Sequence, residues 1–183
     1  MLRRRGARPG DSIFISRPAG LTPAAFEYLL GKRTEELPAE DVARLREQFT
    51  AMYPMIELGQ ELADSGVCTS CMDNTDGIGQ SLSELGEASS VSLVVEEASV
   101  VVPALVARVA STRKKEPMEF LFNGGADFSL IGTLGSHWNQ SDAKVRFGDS
   151  LEIIGYVQEG SGVMLMQSGS MRELAFKGWN YFV

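Results

Sequence analysis

Cysteine and histidine are scarce in this sequence: two cysteines and a single histidine among 183 residues. So few thiols speak against a disulfide scaffold. A structural zinc site needs about four nitrogen or sulfur ligands. Cys68, Cys71 and His137 cannot close one without carboxylates or a symmetry mate. Long apolar runs are also missing. None approaches the ~20 residues that cross a bilayer, and no apolar stretch follows the N-terminal arginines as a signal peptide requires. The expected compartment is therefore cytoplasmic, with no membrane partner. The third shortage is positive charge. Seventeen Lys and Arg against 24 Asp and Glu leave a formal net charge of −7. A general nucleic-acid binder needs a basic face to release counterions, so nucleic acid is not an expected partner. The one basic cluster, Arg3, Arg4, Arg5 and Arg8, is read as a solvated tail over residues 1–8.

What the sequence does have is 44% hydrophobic residues, enough for one well-cored domain, assigned to residues 9–183. Pro9, Gly10 and Asp11 make a turn before a short strand at Ile13–Ile15. "LTPAAFEYLLG" reads as a helix with Thr22 as N-cap, Pro23 at the first helical position and Gly31 past its end. Val42, Leu45 and Phe49 fall at helical spacing after Pro38, and "MIELGQELADSG" is a further helix closed near Gly66. Val67 to Met72 is read as a strand ending at Asp73, followed by a helix through "GIGQSLSELGEAS". "VSLVV" is a strand and "VPALVARVAS" a helix begun by Pro103. "FNGGADFSLIGTL" is a turn and a strand, and Trp138 to Phe147 holds a short helix. "LEIIGYVQEGSGVMLMQ" alternates like a hairpin turning at Gly160-Ser161-Gly162. Helices and strands alternate and a β-rich section ends the chain, which predicts an α+β, α/β-layered domain with a mixed sheet.

The stretch "CTSCMDNTDG", Cys68 to Gly77, concentrates the chemistry. A redox CxxC usually opens a helix, where the first thiol's pKa falls. This one lies in a strand, where residues three apart are expected on opposite faces, so the cysteines are read as small buried hydrophobes. Asp73 and Asp76 are hard oxygen ligands suited to Mg²⁺, which takes one or two carboxylates plus substrate phosphates. A helix starting near Asp76 would present free N–H groups and a positive dipole end to phosphate oxygens. Thr75 adds a hydroxyl, and Gly77 and Gly79 allow close approach to the backbone. The bland alternative is an ordinary helix start, since Thr and Asp are favoured N-caps.

The motifs stand in a telling order: "GARPGD" before a strand, "MDNTDG" opening a helix, "GGADFSL" leading into a strand, "IGYVQEG", and a terminal "GWNYF". This order resembles the C-terminal domain of thiamine-monophosphate kinase, in the superfamily of aminoimidazole ribonucleotide synthetase, over Gly6 to Phe182. The resemblance implies that superfamily's fold and an ATP- and Mg²⁺-dependent phosphotransferase that converts thiamine monophosphate to the diphosphate. It also implies site roles: Asp73 and Asp76 for magnesium, Thr75 and Gly77 for the nucleotide, Trp179 and Asp127 on the substrate side. No catalytic residue is assigned. Ala126, Phe128 and Ser129 depart from the family's Glu/Asp, Tyr and Glu, as do Asn74, Asn180 and Tyr181 elsewhere. The family's N-terminal domain, which supplies most metal-binding aspartates and builds the dimer, has no counterpart in these residues. A homodimer, a separate N-terminal domain or a partner chain is therefore expected to complete the site, and the chain alone is expected to be inactive. Two alternatives stand beside this: another ATP-using relative with a different substrate, or a non-catalytic binding module that kept the fold.

Overall fold

The computed structural model describes residues 1–31, 36–51 and 53–175. Strand β1 (Ser12–Ile15) is followed by helices α1 (Leu21–Leu30), α2 (Ala39–Thr50) and α3 (Ile56–Ser65). Then come β2 (Cys68–Asn74), α4 (Ile78–Ser89), β3 (Ser92–Glu96), α5 (Ala104–Arg113) and α6 (Pro117–Asn123). β4 (Ser129–Leu134), α7 (Gln140–Phe147), β5 (Glu152–Gln158), β6 (Val163–Gln167) and β7 (Ser170–Glu173) complete the order. No described helix is long and apolar enough to cross a membrane.

The strands form one mixed sheet in the order β2-β4-β1-β5-β3-β6-β7. All pairings are antiparallel except β3 with β6. Period-two alternation sends neighbouring side chains of β1 to opposite faces. Ile13 and Ile15 enter the larger core, with Leu82 and Leu85 of α4 and Val106 and Val109 of α5. Phe14 enters a second core, with Leu58 and Leu62 of α3 and Phe147 of α7. The sheet is thus covered on both sides, as the layered reading requires.

Three expectations need correction. The glycine turn at residues 160–162 does not close a hairpin, because β3 lies between β5 and β6. Leu93 donates its N–H to the Gly162 carbonyl at 3.1 Å, so the connection passes over the start of β3. Alternation and turn residues specify that a chain reverses; they do not specify which strand comes to lie beside it.

The basic segment is not a free tail either. The Cys71 N–H donates to the Arg3 carbonyl at 2.8 Å, continuing the pairing beyond β2 at the sheet edge. Gly6 and Ala7 donate their N–H groups to Ser89 Oγ, and Arg4 pairs with Glu84 at 2.9 Å. An edge strand's unpaired backbone groups account for this, since they bond to whatever extended segment reaches them.

Helix α1, finally, is not capped by Thr22. Its N-cap is Gly20, without a capping side chain from the helix's own first turn.

Candidate functional site

At one end of the sheet, two loops are locked together through their backbones. The first leaves β2, whose last residues Asp73 and Asn74 pair with Leu130 and Ser129 of β4. It turns at Thr75-Asp76-Gly77 into α4. The second, residues 124–128, leads from α6 into β4. The Ala126 N–H donates to the Thr75 carbonyl at 2.7 Å. Contact elsewhere is so close that only glycine fits. A Cβ on Gly125 would sit 2.3 Å from the Thr75 oxygen, and one on Gly77 would sit 2.5 Å from the Gly124 oxygen. Gly77 also has φ 93°, a left-handed value that favours glycine.

This corner presents the residues singled out by the sequence. Asp73 is exposed and Asp76 half-buried. Thr75 Oγ1 donates to Asp73 Oδ2 at 3.1 Å, so its hydroxyl is not a helix cap. Helix α4 starts on Gly77 with no side-chain cap, and its first internal bond runs from the Ser81 N–H to the Gly77 carbonyl at 3.0 Å. The ordinary helix-start alternative therefore loses its basis: neither Thr75 nor Asp76 caps α4. Behind the corner lies a buried polar bridge that the sequence did not reveal. Asn74 donates through Nδ2 to Ser129 Oγ at 3.3 Å, and Ser81 donates to Asn74 Oδ1 at 3.1 Å. It ties β2, β4 and α4 together at the point where the turn must hold its shape. Asn74 and Ser129 both depart from the family pattern, and that coincidence was the available signal of contact.

Asp127 has a different place. It is 4% exposed. Its Oδ2 accepts the Gly20 N–H at 2.6 Å and its Oδ1 accepts the Thr22 N–H at 3.0 Å. Both oxygens thus cap the start of α1 from across the fold. Burial raises its carboxyl above the ordinary value, against the opposing pull of these hydrogen bonds and of the Arg17 charge. The contacts made by Asp127 are structural ones. Trp179, like the rest of the terminal "GWNYF", lies outside the described residues.

The cysteines share a face, contrary to the expectation from simple alternation. A bulge between Cys68 and Ser70 in the pairing with β4 shifts the register by one residue. Cys71 is therefore buried in the second core, and Cys68 packs against that same core. A hydrogen bond with Cys71 pushes the Cys68 thiol's pKa up, and burial adds to the shift. Raised pKa values make poor nucleophiles and ligands. Among the described residues, no group of three or more His, Cys, Asp or Glu side chains could hold a metal ion. Asp73 and Asp76 thus do not form a self-sufficient metal cage with the other described residues; as hard oxygen donors they are of the type that Mg²⁺ takes one or two of, alongside phosphate and water.

No family model matches the sequence. Curated relatives do. A thiamine-monophosphate kinase of Pyrococcus horikoshii is 27% identical over 181 residues, covering 99% of this chain and 53% of the relative. That of Methanopyrus kandleri is 30% identical over 168 residues, covering 91% and 50%. The chain spans about half the length of the curated relatives it matches. Among solved structures, AaThiL complexed with AMPPCP and TMP aligns with TM-score 0.79 and 26% identity, over 99% of this chain and 54% of that one. This chain is similar to one half of a thiamine-monophosphate kinase. Its mixed seven-stranded sheet is the AIR synthase-like fold of such kinases. E. coli HypE, at 19% identity and TM-score 0.68 over 96% of this chain, shares that fold.

Proposed function

We propose that the corner at residues 73–79 is the magnesium- and phosphate-binding part of an ATP-dependent kinase of the thiamine-monophosphate kinase type. The observation that carries this reading is the start of α4: a helix without a side-chain cap, approached by a glycine-backed loop and flanked by Asp73 and Asp76. Backbone N–H groups at such an end are aimed at anions and strengthened by the helix dipole. In this reading Asp73 and Asp76 hold Mg²⁺, while Thr75 and Gly77 meet nucleotide phosphate. A magnesium ion held by these two carboxylates would offset the negative charge of the phosphates. The chain's own part is to fix the triphosphate: the Gly77 and Gly125 contacts hold the turn, and the Asn74 bridge keeps it from moving. Asp127 supports this from behind by capping α1, and Trp179 is assigned to the acceptor side.

Phosphoryl transfer relies on positioned charges around the γ-phosphate. Two carboxylates are too few for that, so a second set, from another domain, a partner chain or a symmetric copy, completes the kinase. The expected outcome for this chain alone is binding without turnover. Calorimetry with ATP should show Mg²⁺-dependent binding that weakens at least about tenfold, or ~1.4 kcal/mol, in Asp73→Ala and in Asp76→Ala. Binding of equal strength in both variants, or none by the parent chain, would contradict the assignment. Release of ADP by the purified chain would contradict the claim of incompleteness.

A different phosphate acceptor is the second reading. It is favoured by Ala126 and Ser129: the first brings a methyl group where the family has a carboxylate, and the second spends its hydroxyl on Asn74. Comparing turnover of thiamine monophosphate with other phosphomonoesters, once the second half is supplied, separates the two.

A further inference from the structure

Phe128, the last residue of the loop that clasps the corner, is held in a costly way. Its backbone has φ 51°, and Ala126 two residues earlier has φ 63°. Both values are left-handed, and for a bulky side chain such a value is an outlier. Phe128 is 40% exposed and belongs to neither hydrophobic core. Its ring stacks on no other aromatic among the described residues. Packing within the fold therefore does not account for an aromatic here, and glycine would meet the same backbone without strain. We propose that Phe128 is a stacking platform for the base of the bound nucleotide.

The strained conformation is imposed from both sides. Upstream, the Ala126 N–H is tied to the Thr75 carbonyl at 2.7 Å, and both Asp127 oxygens are bonded to the start of α1. Downstream, Ser129 Oγ accepts from Asn74, and Leu130 donates its N–H to Ser16 Oγ at 2.8 Å and accepts the Ser16 N–H at 2.8 Å. Residue 128 has no freedom to relax between these anchors, so its ring is presented in a fixed place. Strain of this kind persists where the surroundings over-determine it, and it collects at ligand sites.

The place is beside the corner. Asn74 and Ser129 are the last residues paired between β2 and β4, and the next residues outward on the two segments are Thr75 and Phe128. Neighbouring strands lie about 5 Å apart. This deepens the kinase reading and rests on it: Thr75 and Gly77 there meet nucleotide phosphate, and Trp179 is assigned to the acceptor side. An aromatic beside Thr75 then falls on the nucleotide side. Every base has a flat face that stacks on an aromatic ring, a contact that strengthens binding by about tenfold to a hundredfold.

Calorimetric titration of the 183-residue chain with Mg·ATP and with the magnesium complex of inorganic triphosphate, which has no base, tests the platform. The chain should bind ATP at least about tenfold more tightly than triphosphate. Phe128→Gly and Phe128→Leu should both lose that preference and keep the triphosphate affinity, whereas Phe128→Trp should retain it. The melting temperature of Phe128→Gly should hold or rise, since the left-handed strain is relieved. Equal binding of the two ligands by the parent chain, or an ATP preference that survives in Phe128→Leu, overturns the proposal. A clear fall in the melting temperature of Phe128→Gly also overturns it, by showing a packing role. Phe128-dependent ATP binding that is indifferent to Asp73→Ala and Asp76→Ala would sink the magnesium corner and leave the platform. Binding that needs the aspartates but ignores Phe128 would do the reverse, and no binding of either ligand would sink both.

Discussion

Helices α1 and α4 both begin beside the loop at residues 124–128, and they begin in opposite ways. At α1, a buried carboxylate from that loop accepts the N–H groups of Gly20 and Thr22. At α4, the chain arrives through Thr75-Asp76-Gly77 and no side chain caps the first turn. The same physics, a positive helix end seeking an anion, is met by a side chain in one case and left without a side-chain cap in the other. The difference separates scaffold from site. Asp127 belongs to the scaffold because its oxygens are used. In the proposed reading Asp73 and Asp76 belong to the site because they flank an end that no side chain caps.

Each side of this comparison can be broken. The largest effect is expected from Asp127→Ala, which strands two N–H groups in a buried place and should cost about 2–3 kcal/mol. Thermal unfolding should fall by about 4–10 °C. Asp127→Asn adds a pH test. Burial raises the Asp127 carboxyl above its ordinary 3.8. The folded state therefore holds that proton more readily than the unfolded chain. The associated stability is fully present below about pH 3.8 and is lost as pH rises through the raised folded value. The Asn variant should lack that decline.

Gly125→Ala attacks the α4 side. Its Cβ would meet the Thr75 carbonyl oxygen at 2.3 Å, so the turn must shift, at about 1–3 kcal/mol. Mg·ATP binding should weaken more than stability alone explains, and calorimetry beside a melting curve would show it. Asn139→Ala is a control at a third helix start. Asn139 and Asp142 form a capping box on α7, so the loss should be about 1 kcal/mol in chemical unfolding, with ligand binding unchanged. The smallest effect is expected from Cys68→Ala. A half-buried thiol in an apolar setting should contribute about 0.5–1 kcal/mol, and its removal should alter neither metal content nor Mg·ATP affinity.

Local pattern carried most of the fold into the sequence. Helix α3 closes on Gly66 in the left-handed conformation, and α5 begins at Pro103, both as turn chemistry dictates. The failures share one cause, namely contacts between residues far apart in the chain. Thr22 looked like a cap because cap preferences are local, yet the residue that caps α1 lies 105 to 107 positions away. The hairpin at Gly160 misled because β3 comes from an earlier part of the chain. The cysteines changed face because a single bulge resets the alternation. At the site itself, the turn, its glycines and its two aspartates were legible. The Asn74–Ser129–Ser81 bridge was not, since it assembles residues from three separate elements.

The most direct measurement of the central claim is a map of amide chemical shifts in the ¹⁵N-labelled chain titrated with Mg·ATP. The account predicts that the largest changes fall on Thr75 through Gly79, at the uncapped start of α4, and that Gly20 and Thr22 at the capped start of α1 move little. Shifts centred on Gly20 and Thr22, or spread with no focus near Gly77, would contradict it.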